Sequence, residues 1–98
     1  MSYARLLQED RRLVLLRTLA EVPAYTANAY VLSQAAQASG HAVSLDTVKT
    51  ELAWLAEQGL VQLVCEPPLV VATLLERGHD VSQGRAVVPG VKRPQPGG

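Results

Sequence analysis

The sequence predicts a mainly α domain with a small β-hairpin. Three observations lead there. Apolar residues recur at helical spacing from about residue 3 to residue 57. Helix-stopping residues, Pro23, Gly40 and Gly59, divide that stretch into three. After Gly59 the pattern changes to two short runs, "LVQLVC" and "LVVATL", with only Glu66-Pro67-Pro68 between them. A chain of 98 residues suits one domain, and 48% hydrophobic residues suffice for a packed core. Phe is absent, so the core is aliphatic.

The elements follow in order. Residues 3–21 form the first helix, with Ser2 as N-cap and a stripe of Leu6, Leu13, Leu16 and Ala20, widened by Leu15 and Leu19. Val22-Pro23 stops it, because the residue before proline resists the α region. A second helix covers about residues 27–39. Thr26 is its expected cap, Val31, Leu32, Ala35 and Ala36 its apolar face, and Ser39-Gly40 its end. Ser44 opens a third helix that Gly59 ends. Two helices joined by a short glycine-containing loop make a helix-turn-helix. The two apolar runs then form a hairpin whose tip is Pro67-Pro68. Thr73 and Glu76 match a capping box, so a short last helix is expected from near Leu74 to Gly84. The domain is thus expected to span residues 1–84. Residues 85–98, rich in proline and glycine, read as an extended tail outside the core.

Charge restricts the function classes. The formal net charge is zero, which speaks against a strongly basic surface. Its distribution is uneven. Arg5, Arg11, Arg12 and Arg17 against Glu9, Asp10 and Glu21 leave residues 1–44 at +1. Lys49 against Asp46, Glu51, Glu57 and Glu66 leaves residues 45–66 at −3. Arg77, Arg85, Lys92 and Arg93 against Glu76 and Asp80 leave residues 67–98 at +2. Glu9-Asp10 beside Arg11-Arg12 reads as a solvated helix face. The single cysteine, Cys65, excludes an internal disulfide and reads as a small buried hydrophobe. His41 and His79 lack metal-ligand spacing, so no metal site is expected. There is no phosphate loop, nucleophile elbow or carboxylate pair, so no catalytic residue, cofactor or enzymatic activity is expected. No signal peptide and no run long enough to span a membrane is present, and a cytoplasmic location in a bacterial host is expected.

Val48, Leu52 and Leu55 followed by Gly59-Leu60-Val61 carry a resemblance. Over about residues 10 to 84 the chain resembles the winged helix-turn-helix proteins of the ArsR and MarR type. The stretches "LLQEDRRLVLLRTLAE", "ELAWLAEQGLV" and "GRAVVPGVKRPQPG" also resemble a family of small uncharacterised proteins of Mu-like prophages. Such proteins lie among late phage genes, near packaging functions.

The resemblance to winged-helix regulators implies duplex DNA as partner. The front of the third helix would face the major groove with Asp46, Thr47, Lys49 and Thr50. Asp46 and Glu51 would repel phosphates there, and the short wing offers no cation. Affinity would then depend on Lys49 helped by Arg11, Arg12, Arg17 or the tail pair Lys92 and Arg93. A regulator or a packaging accessory fits this reading. The alternative is a protein-interaction module that keeps the fold without reading DNA, its partner another phage protein. Tyr3, Leu6 and Leu7 suggest self-association through the first helix into a homodimer. Trp54, on the polar side of the third helix, is either an interface residue or covers another part of its own chain.

Overall fold

Helical spacing and stop signals place the three long helices close to where they are expected, while a 3-10 turn and a short strand between the first two are not foreseen. The structure, a computed structural model, describes residues 2–95. It contains α1 (Tyr3–Glu21), a 3-10 turn (Pro23–Tyr25), β1 (Thr26–Asn28), α2 (Ala29–Ala38), α3 (Leu45–Glu57), β2 (Val61–Glu66), β3 (Leu69–Leu74) and α4 (Glu76–Ser82). Ser2 caps α1 by accepting from the Arg5 amide, and Ser44 caps α3 by accepting from the Thr47 amide at 3.1 Å. Both caps satisfy donors that the first helical turn leaves free.

The sheet is larger than a hairpin. Its order is β1-β3-β2, antiparallel throughout. Thr26 therefore does not cap α2. It pairs with Thr73 in the sheet, and the two hydroxyls lie 3.0 Å apart. Asn28 caps α2 instead, accepting from the Val31 amide at 2.8 Å. Holding Thr73 in β3 also removes it from α4, which begins after Leu75 without any side-chain cap. Val31, expected on the buried face of α2, is exposed, while Ala29, Leu32 and Ala36 face inward.

The core lies where α1, α2 and α3 meet one face of the sheet. Leu15, Leu16, Leu19, Leu32, Val48, Leu52, Leu55 and Leu60 are fully buried. Alternation along the hairpin sends Val61 and Leu63 from β2 and Val70, Ala72 and Leu74 from β3 to this face. Cys65 shares that parity but is exposed, because the hairpin end runs past the helices that cover its base. Gly78 allows α4 to press on the start of the hairpin. A Cβ there would sit only 2.1 Å from the Leu60 carbonyl oxygen.

The expected tail is not free of the domain. Val88 and Val91 are buried in the core cluster, and the Lys92 amide donates to the Glu9 carbonyl at 3.2 Å. Residues 85–92 form a strap across α1 and α3. Apolar side chains every three residues in an otherwise Pro/Gly-rich stretch suffice to anchor it. Residues 96–98 of that tail lie outside the described residues.

Leu52 and Leu55 are 0% exposed. Replacing either by Ala should cost about 2–5 kcal/mol in equilibrium denaturation, through lost burial and the cavity left behind. A loss below about 0.5 kcal/mol would place the buried face of α3 elsewhere.

Candidate interaction surface

On α3, residue 51 stands three after Val48 and four before Leu55, so helical geometry carries it into the buried stripe. Glu51 is 3% exposed and points away from any external phosphate. On α1, residue 12 precedes Leu15 and Leu16 by three and four, which buries it in the same way. Arg12 Nε donates to Glu51 Oε1 at 3.1 Å, and Arg11 Nη1 donates to Glu51 Oε2 at 2.9 Å. Arg11 and Arg12 are therefore not part of a solvated face and are not offered to DNA.

One carboxylate faces two guanidiniums here, so the cluster holds excess positive charge. Two groups disperse it. The Gly90 carbonyl accepts from Arg12 Nη1 at 3.1 Å, and the Arg12 guanidinium lies 3.8 Å from the Trp54 ring centroid. Trp54 is thus covered by its own chain. Gly90, with φ +101°, admits no side chain, since a Cβ would approach the Trp54 ring to 2.8 Å. Arg11 Nε is buried without a hydrogen-bond partner among the described residues.

A second polar link ties α1 to the strap and to the α2–α3 loop. The buried His41 Nε2 lies 2.7 Å from Asp10 Oδ2, and Lys92 Nζ donates to Asp10 Oδ1 at 3.2 Å. Burial works to raise the Asp10 pKa. Hydrogen bonds from His41 and Lys92, together with the charges of both, outweigh it and hold the carboxyl below its ordinary value. Lys92 is exposed but held in this surface pair, while Arg93 is exposed beside Pro94.

What remains on the front of α3 differs from a DNA-reading surface. Thr50 is exposed, and Thr47 is half-buried with its hydroxyl 3.0 Å from that of Ser44. Lys49 has no ion-pair partner among the described residues. It lines an open groove of about 390 Å³ with Asn28, Ala29, Tyr30, Leu45, Pro68, Leu69 and Val70. The groove is the notch between the first turns of α2 and α3 and the overhanging hairpin end. Its walls are chiefly apolar. Leu45 and Lys49, four residues apart, come from one face of α3. Tyr30, Leu69 and Val70 were not singled out by sequence. A tyrosine two residues after a strand and a leucine after two prolines carry no signal of exposure until the hairpin end is seen to overhang. Tyr3, Leu6 and Leu7 lie on the exposed front of α1 and are not among the residues lining this groove.

Among the described residues, no group of three or more His, Cys, Asp or Glu side chains could hold a metal ion, and no helix is long and apolar enough to cross a membrane.

Two predictions follow from the polar clusters. Glu51→Ala would leave two guanidiniums buried without their counter-ion, and arginine cannot shed its charge. It should cost about 3–5 kcal/mol in urea denaturation, the range for breaking a buried pair from one side. A cost below about 1 kcal/mol would mean that the cluster is hydrated. Because the folded Asp10 carboxyl is depressed, its contribution is complete above the unfolded carboxylate pKa of about 4 and is lost as pH falls through the lower folded value. Thermal melts of wild type and Asp10→Asn should therefore converge on acidification below about pH 4. A constant gap between them would contradict this.

No family model matches the chain. A protein of Escherichia phage Mu, named uncharacterized protein gp26, is 48% identical over 91 residues, covering 93% of this chain and 94% of the phage protein. An uncharacterized protein of Haemophilus influenzae is 43% identical over 63 residues, covering 64% of this chain and 61% of that protein. The first match extends over nearly the whole of both chains, helices, hairpin and strap alike. The chain belongs to the family of the phage Mu protein gp26.

Proposed function

We propose that this protein is a protein-interaction module on a winged-helix-like scaffold, its contact surface the apolar groove between α2, α3 and the hairpin end. The order of helices and strands supports the scaffold. The observation that carries the function is where the cations are used. Arg11 and Arg12 are turned onto Glu51, and Lys92 onto Asp10. DNA affinity comes mainly from neutralised phosphates, and of the cations a DNA-bound α3 would need, Lys49 alone lies on its front. Around Lys49 stand apolar walls, the composition of a protein-binding groove. Membership of the gp26 family supports a phage setting, with another phage protein or a second copy as partner.

The second reading, a phage regulator or packaging accessory that binds duplex DNA, is favoured by the absence of an ion pair at Lys49 among the described residues and by exposed Thr50 on the same helix. A titration of labelled duplex at low and moderate salt separates the two. The interaction module should show no binding stronger than the roughly 10⁻⁴–10⁻⁶ M of non-specific contacts, and Asp46→Asn should not change this. Sub-micromolar binding whose salt slope falls by about one unit in Lys49→Ala would favour DNA recognition.

A further inference from the structure

The front of α1 has no counterpart among the described residues of its own chain. Residues 2–7 are all exposed, and the buried residues of the helix begin only at Arg12. At about 1.5 Å per residue, the stretch from Tyr3 to Leu7 projects roughly 6 Å beyond the residues that the strap and the α2–α3 loop hold. Tyr3, Leu6 and Leu7, at i, i+3 and i+4, lie on one side of it and are 76%, 47% and 36% exposed. α1 runs unbroken to Glu21, and its second half is fixed in the core. Its front cannot turn back onto the groove without breaking the helix, and none of the described residues covers it.

The groove offers a complementary surface. Tyr30 and Leu69 on its walls are 64% and 52% exposed, and Leu45 and Val70 form part of the lining. Charges match as well as apolar surface. Arg5 is the one charged side chain in residues 2–7, while Asp46 beside Leu45 and Glu66 before the Pro67-Pro68 turn are both exposed. Arg5 is paired with Glu9 at 3.4 Å across one turn, a weak surface pair for whose two charges Asp46, Glu66 and Lys49 of a second copy would compete.

The geometry points to a second copy of this chain as the occupant: the Tyr3–Leu6–Leu7 edge of one α1 seats in the Tyr30–Leu45–Leu69–Val70 groove of its partner, and the exchange is mutual. This rests on the reading of the groove as a protein-binding surface. Because the exchange is mutual, the interface is isologous, with Leu6 of each copy meeting Leu69 of the other, and this two-fold reciprocity closes it into a pair.

Cys65 makes the pairing testable. It lies opposite Val70 across the hairpin, on the same face and exposed, so it borders the groove. Sedimentation of the full chain at micromolar concentration should show a dimer. Leu6→Glu and Leu69→Glu should each weaken association about 30-fold or more, the loss expected of an interface anchor. Both positions are exposed, and unchanged thermal melts would show that the variants fold. A short bismaleimide should then join Ala4→Cys chains through Cys65 of the neighbour, and Ala4→Cys combined with Cys65→Ser should give no cross-linked dimer. Cross-linking of that double variant would mean that the helix ends pair with each other and would overturn the proposal. Cross-linking of wild type through Cys65 alone would overturn it in favour of hairpin-edge pairing. A wild-type monomer at these concentrations would also overturn it; if that monomer ignores duplex DNA, the interaction-module reading stands with a different protein as partner.

Discussion

Glu51 meets Arg11 and Arg12 with almost no water around them, and the positions of α1, α3 and the strap all follow from that meeting. A carboxylate cannot remain charged at such burial without compensating donors, and the guanidiniums cannot be neutralised at all. Each helix therefore has to present its charge at the height where the other presents its own. The strap is drawn into the same requirement. Its Gly90 carbonyl takes a hydrogen bond that Glu51 cannot accept, and its backbone lies against the Trp54 ring edge beside the Arg12 guanidinium. Val88 and Val91 anchor it on either side, so the segment that looks like a loose tail completes the polar cluster.

The cluster also shapes the outer surface. Cations used inside the molecule are not available outside, and the front of α3 is left with Lys49 among Leu45, Tyr30, Leu69 and Val70. The acidic count of residues 45–66 overstates repulsion on that front, since Glu51 contributes to the interior and only Asp46, Glu57 and Glu66 face solvent. What α3 presents is an apolar notch with one ammonium and an acidic surround. The exposed end of α1 is its reverse: an apolar edge with one guanidinium. Both features are local consequences of length. α1 is longer than the core it packs on, and the hairpin is longer than the helices beneath it.

The sequence made the helical framework legible because its stops are chemically sharp. Ser2, Pro23, Gly40, Ser44 and Gly59 delimit α1, α2 and α3 to within a few residues, and the prolines mark the hairpin tip. β1 was hidden because three residues are too few for a period, and its pairing with Thr73 is a long-range choice that overrides two local capping patterns. The burial of Glu51 was latent in its spacing to Val48 and Leu55, and that of Arg12 in its spacing to Leu15 and Leu16. A charge on the apolar stripe of each of two helices, opposite in sign, is the pattern of an internal ion pair. Judging those residues by charge alone assigned them to solvent. The groove was not legible at all, since its walls belong to three segments that only the tertiary fold brings together.

The claim on which the rest turns is that Glu51 and Arg12 act as one buried unit. A double-mutant cycle with Glu51→Met and Arg12→Met, followed by equilibrium unfolding, tests it directly. Glu51→Met leaves two guanidiniums without their counter-ion, Arg12→Met leaves Glu51 with Arg11 alone, and the double replacement removes both charges of the direct pair. The account predicts that the double variant is more stable than the sum of the single losses by about 1–3 kcal/mol. Additive losses, to within about 0.5 kcal/mol, would contradict it.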